Sequence, residues 1–168
     1  ARVKGLGGDI ESPIREKAEL EIIGCADAIC VSCEEEQSQF TSLYGNAPGA
    51  IEVVAPGVER AYFSPGDRRG ARRALGLGDN PTLLFVGRIQ PLKGLDVAVQ
   101  TLAALDMQDA QLIVVGGASG TEGENEMRRV QALIAEHNLE RRVHFYEPQP
   151  HHLLSTFYRA ADVVLVPS

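Results

Sequence analysis

Arg88 and Lys93 stand five residues apart in "LFVGRIQPLKG", where an apolar run ends in glycine and the chain turns through Pro91. A guanidinium offers phosphate oxygens a two-pronged set of N–H donors, and a lysine adds a compact positive charge. In a chain of net charge −7, two such cations at the exit of a buried strand need something negative opposite. That partner is either an anionic ligand or carboxylates such as Glu122, Glu124 or Glu126, and the residues alone leave both open. A second apolar run, "QLIVVGG", ends in Gly116 and Gly117. Glycine at a strand exit lets a ligand approach the main chain, and the helix that follows offers unpaired N–H groups to an anion. Gly87 and Gly94 fit the same role on the first run, although tight turns use glycine as well.

Other candidates carry less. The glycine spacing is neither G-x-G-x-x-G nor G-x-x-x-x-G-K-[ST], and no acidic residue closes the second run, which disfavours a dinucleotide-dependent dehydrogenase. Cys25, Cys30 and Cys33 form C-x4-C-x2-C, but an iron–sulfur set needs a fourth cysteine and the chain has three. Cys30 lies in "AICVS", expected to be a buried strand in which cysteine serves as a small apolar residue. The adjacent His151 and His152 point to two sides of a helix and make a poor chelate. No Asp-x-Asp pair occurs, consistent with the expectation that neither a metal nor a cofactor takes part. Arg68, Arg69, Arg72 and Arg73 form a rival basic cluster that an anion could also use.

These side chains must be positioned by regular elements. Ser12 and Pro13 open a helix as cap and first residue, and "PIREKAELEIIGCA" leads into the strand "DAICVS". Ser32 with Glu35 reads as a capping box for "SCEEEQSQFTSLYG", stopped by Gly45, and Glu34 to Glu36 complement the helix dipole. "IEVVAPG" is a short strand. A polar linker from Arg60 runs into a short helix closed by Gly76. From residue 82 the apolar strands "TLLFVG", "QLIVVGG", "RVHFYE" and "DVVLVPS" alternate with the amphipathic helices "LDVAVQTLAAL", "ENEMRRVQALIAEHN" and "HHLLSTFYRAA". Strands apolar throughout, alternating with helices, argue for a parallel sheet covered on both faces: a doubly wound, Rossmann-like α/β domain. Right-handed crossovers give its four strands the spatial order 3-2-1-4, with the last at an edge.

Composition bounds the function. A chain of 168 residues with 44% hydrophobic and 23% charged residues is long enough to bury a core without disulfides. The acidic balance gives no basic face for nucleic acid. No apolar run approaches the ~20 residues of a membrane span, and the first residues lack an apolar signal core. A cytoplasmic setting is the default expectation.

The order of the motifs resembles a known family. "LLFVGRIQPLKGLDVAVQTLAAL" is similar to the start of the C-terminal domain in retaining GT-B glycosyltransferases of family 4 (group 1). "IEVVAPGVERAYFSPG" resembles their interdomain crossing, and "VHFYEPQPHHLLSTFYRAADVVLVPS" their base-binding strand and the run before their acidic motif. The resemblance spans residues 13–168. It implies that Arg88 and Lys93 bind the diphosphate and act as the catalytic cations, with Gly87, Gly116 and Gly117 beside them. Tyr146, Glu147, Pro148 and Gln149 fall on the segment that holds the base, and His151 stands near a position that some relatives use for it. The implied donor is a UDP- or GDP-linked sugar and the acceptor a hydroxyl, with retention of configuration.

The same resemblance sets the expected organisation: residues 1–60 as the end of an acceptor domain with its crossing strand, 61–81 as a linker and short helix, and 82–168 as an incomplete nucleotide-sugar domain. The family's E-x7-E pair is expected just after Ser168 and the rest of the acceptor domain before Ala1. The chain alone is therefore expected to be inactive. Its N-terminal part is expected to pack on the exposed edge of the last strand or to mediate self-association, not to form an independent second domain. Two other classes fit the residues less well: a sugar-nucleotide epimerase of the same fold, and a non-catalytic nucleotide-binding module.

Overall fold

The computed structural model describes residues 13–45 and 49–167. The chain divides between Val58 and Glu59 into two compact units.

In the first unit, α1 (Pro13–Cys25) leads to β1 (Ala28–Val31), α2 (Glu34–Tyr44) and β2 (Ala50–Val53). The expected Ser12 cap lies outside the described residues. β1 and β2 pair in parallel, from Ala28 opposite Ala50 to Val31 opposite Val53. α2 packs on both strands and buries Phe40 and Val31. Cys30 points to the other face and is exposed, as are Cys25 and Cys33. The buried-strand expectation for Cys30 is therefore corrected. An apolar run shows that a strand can be covered, whereas burial depends on what covers each face, and here the residues alternate.

The cap of α2 is also shifted. Ser32 donates from both its N–H and its hydroxyl to the Glu36 carboxylate, each at 2.6 Å. Cys33 occupies the cap position without a side-chain bond, so the carboxylate that reaches back is Glu36, not Glu35. Glu35 instead accepts from Gln39. The bond from the Ser32 hydroxyl, then that from its N–H, lowers the Glu36 pKa below the ordinary carboxylate value. Gly45 ends the helix at φ +76.

The second unit begins with α3 (Arg68–Ala74) and β3 (Thr82–Val86). A 3-10 turn at Pro91–Lys93 and α4 (Leu95–Ala104) lead to β4 (Gln111–Val115) and α5 (Gly120–Glu136). β5 (Val143–Tyr146), α6 (His151–Ala160) and β6 (Val163–Leu165) complete it. The parallel sheet has the order β5-β4-β3-β6, which is the 3-2-1-4 arrangement expected from right-handed crossovers.

Side chains alternate across the central strands. Leu83, Phe85, Leu112 and Val114 meet Leu95, Val99, Leu102, Val130 and Ile134 on one face. Leu84, Ile113 and Val115 meet Phe157 on the other, with Leu75, Leu77 and Leu154 packed around them. The core lies between these layers, and truncating a fully buried leucine such as Leu84 or Leu112 costs about 2–5 kcal/mol.

β6 pairs with β3 and leaves Val163 and Val164 half exposed. β1 and β2 form a separate two-stranded sheet in the first unit.

Candidate functional site

Parallel strands aim their carboxyl ends at one side of a sheet, and here the ladder carries on past the strands. Gly87 N–H donates to Val115 O at 3.0 Å, Ile89 N–H to Gly117 O at 2.9 Å and Gly116 N–H to Tyr146 O at 3.0 Å. Ile89 is fully buried and anchors the loop beside Ala118, while its neighbour Arg88 is exposed. Two glycines make this close approach possible. A Cβ on Gly116, which has φ +155, would lie 1.9 Å from Gly87 O, and one on Gly123 would lie 2.6 Å from Ile89 O. Gly123 therefore lets the start of α5 lie against the loop. The helix begins at Gly120, four residues before the apolar periodicity indicates.

A cavity of about 360 Å³ occupies these strand ends. Val86, Gly87 and Arg88 line it from the first loop, Gly116, Gly117 and Ser119 from the second, and Pro148, Gln149 and Leu154 from the entry to α6. Ser119 caps α5 without a side-chain bond, so that helix opens its N-terminal N–H groups near the cavity.

Of the residues expected to act, Gly87, Arg88, Gly116, Gly117, Pro148 and Gln149 line this one space; Lys93, Tyr146, Glu147 and His151 are not among its lining residues. Lys93 sits on the 3-10 turn, which Gly94 closes at φ +66 beside Pro167. The Tyr146 ring meets Phe157 edge-on, with centroids 5.0 Å apart. The Glu147 carbonyl accepts from Gln149 Nε2 at 2.9 Å, and the His151 ring lies 6.0 Å from that of Phe63. Sequence reasoning did not single out Ser119 or Leu154. Ser119 could have been found as a cap residue just beyond a glycine pair.

The charges separate clearly. Glu126, one of the carboxylates that could have neutralised the loop, is buried and accepts from Arg129 at 2.9 and 2.7 Å. Arg129 also stands 3.0 Å from Asp96. The hydrogen bond to Glu126, then that to Asp96, raises the Arg129 pKa further above its ordinary value. Among the described residues, Arg88 and Lys93 have no ion pair and no side-chain hydrogen bond.

The rival basic cluster is organised differently. It lines a space of about 280 Å³ with Arg69, Arg72, Arg73, Leu77 and Asp79. Arg72 is buried and its Nε donates to Ala160 O at 3.0 Å. One terminal nitrogen donates to Gly78 O at 2.7 Å and Asn80 O at 3.1 Å. The other donates to Thr82 Oγ1 at 3.3 Å and Asp162 Oδ2 at 2.7 Å. A guanidinium has five N–H groups, so none of Arg72's is left for a ligand. Arg68 pairs with Asp162 and Arg73 stands 3.8 Å from Asp67.

Among the described residues no group of His, Cys, Asp or Glu is arranged to hold a metal ion, and no helix is long and apolar enough to cross a membrane.

Residues 67–168 match the family model of glycosyl transferases group 1. D-inositol 3-phosphate glycosyltransferase from Mycobacterium tuberculosis is 43% identical over 163 residues, which is 96% of this chain and 33% of that protein. The chain thus spans about a third of the length of the curated relatives it matches. A sucrose-phosphate synthase from Thermosynechococcus elongatus superposes with a TM-score of 0.82 at 31% identity, over 95% of this chain and 39% of that one. HepE from Anabaena, solved in complex with UDP-glucose, superposes with a TM-score of 0.77 at 23% identity, over 93% of this chain and 44% of its own. That last likeness is one of fold.

Proposed function

The chain belongs to the glycosyl transferases of group 1, and from that premise we propose that it contributes the donor side of a retaining glycosyltransferase. The donor is a nucleoside-diphosphate sugar, UDP- or GDP-linked, and the acceptor is a hydroxyl. The observation that carries this reading is the pair Arg88 and Lys93: among the described residues neither has a protein partner for its charge, at the carboxyl ends of the strands, whereas Arg129, Arg72 and Arg68 are engaged. Arg88 lies on a glycine-walled cavity, and Lys93 is carried on the next turn of the same loop.

When the glycosidic bond breaks, negative charge gathers on the leaving diphosphate. Fixed donors aimed at that charge stabilise the transition state, and losing one typically costs ~10²–10³ in rate. Arg88 and Lys93 supply the cations, and Gly87, Gly116 and Gly117, which lack a Cβ, allow close approach of the phosphates to the main chain. Pro148 and Gln149 form the wall for the base, with Glu147 and His151 flanking them and Tyr146 holding the segment to the core. Residues 1–60 would belong to the acceptor side, 61–81 to the linker and 82–168 to the nucleotide side.

The test is a transfer assay on the full-length protein with UDP-glucose and GDP-linked sugars, with D-inositol 3-phosphate as the first acceptor. The product's anomeric configuration is read by NMR. Transfer with the donor's configuration retained is expected. An inverted product, or epimerisation of the donor with no acceptor needed, would overturn the reading.

A further inference from the structure

We propose that Arg159 is a positioning residue for the strand-end cavity, acting through the first turn of α6; this rests on reading that cavity as the nucleotide site. The second unit starts at Glu59, and its leading segment is strapped along α6 by contacts at both ends of the helix. At the last turn, Arg159 Nε donates to Ser64 O at 3.0 Å and its terminal nitrogen to Tyr62 O at 2.9 Å. The backbone passes so close at Gly66 that a Cβ there would lie 2.8 Å from Arg159 Nε. At the first turn, the Phe63 ring stands 6.0 Å from His151 and the Tyr62 ring 6.3 Å from His152. Phe63 also meets Tyr158, with centroids 5.8 Å apart.

The first turn of α6 needs such support. Its cap residue is Pro150, which gives no side-chain bond, and Leu153 and Leu154 both donate to Pro150 O, at 2.9 and 3.0 Å. Pro148, Gln149 and Leu154 from this turn and its approach form one wall of the cavity. The inner face of α6 is held by buried Ser155, Phe157 and Ala160. From the outer side, Arg159 fixes the segment whose rings rest on His151 and His152. A guanidinium holds two carbonyls in a fixed planar fork, whereas the donors of an ammonium are tetrahedral and rotate on a flexible stem.

The experiment compares Arg159→Ala, Arg159→Lys and Gly66→Ala in this chain, with site-resolved amide exchange, UDP titration and thermal melting. In Arg159→Ala the amides of Leu153 and Leu154 should exchange roughly tenfold faster, the scale of a lost charge-assisted bond. UDP binding should weaken in parallel, while the amides of Ile113 and Val114 in β4 keep their protection. Lysine should not restore the exchange, and Gly66→Ala, which displaces the guanidinium but keeps its charge, should act in the same direction. Unchanged exchange at Leu153 and Leu154 would overturn the proposal, and so would an equal acceleration in β4, since that marks a merely structural loss. If Arg159→Ala does not fold, Gly66→Ala decides by the same readout. A wild-type chain that bound neither UDP nor GDP would instead sink the nucleotide reading, and the exchange arm would still judge Arg159.

Discussion

Two groups of basic residues in this chain look alike in sequence and differ in what they face. The placement of Arg88 and Lys93 at a strand exit was legible because its signal is local: cations, a proline and flanking glycines follow directly on an apolar strand. Arg72 was not, because its acceptors at Ala160 and Asp162 lie 88 and 90 positions further along the chain, and only the folded sheet brings them together. Its neighbour Thr82 also donates its N–H to Asp162 at 2.8 Å, so one carboxylate joins the starts of β3 and β6 to α3. Truncating Arg72 removes all five of its hydrogen bonds, and each buried acceptor left unsatisfied costs about 1–3 kcal/mol. Arg68 reaches the same carboxylate from an exposed position, where such pairs contribute about 0–1 kcal/mol. Urea unfolding should therefore show a large loss for Arg72→Ala and a small one for Arg68→Ala. Comparable losses would contradict the assignment of Arg72 as a structural clamp.

At the scale of elements, the alternation of apolar strands and amphipathic helices after residue 82 was enough to give the sheet order. It could not give the start of α5, since "GTEGENE" has no apolar face and places Gly123 where a helix is usually weakened; the close approach to Ile89 explains that glycine. The cap of α2 falls one residue later than the sequence suggests, because Ser32 is followed by Glu34, Glu35 and Glu36 and so has more than one partner. The consequence is a pH dependence. The Glu36 pKa is lowered in the folded chain, so its contribution is present above the ordinary carboxylate pKa and is lost as pH falls through the lowered value. Exchange of the first-turn amides of α2 should quicken in that acid window in the wild type. In Ser32→Ala the accelerated rate should already appear near neutral pH, apart from the Ser32 N–H bond that remains. A wild-type profile with no step in acid would show that the Ser32–Glu36 contact does not hold this end.

For the whole molecule, the first unit carries a two-stranded sheet with one face exposed, whereas the second buries its central strands on both faces. Amide exchange in a dilute monomer should therefore show strong protection in β3 and β4 and weaker protection in β1 and β2. Equal protection would mean that the first unit has a core of its own. That β1 and β2 would pair in parallel was not legible from either segment alone, because both are short and their register depends on the partner available. The sheet of the second unit brings a cavity lined by Arg88 to one end, with Lys93, unpaired among the described residues, on the next turn of the same loop. Titration calorimetry of this chain with UDP, GDP and uridine tests the diphosphate role of this pair most directly, on the wild type and on Arg88→Ala/Lys93→Ala. The double variant should lose diphosphate binding by about 100-fold or more, at roughly 1.5–3 kcal/mol for each charge-assisted contact, with uridine binding unchanged. Equal losses for UDP and uridine, or none for UDP, would contradict that role.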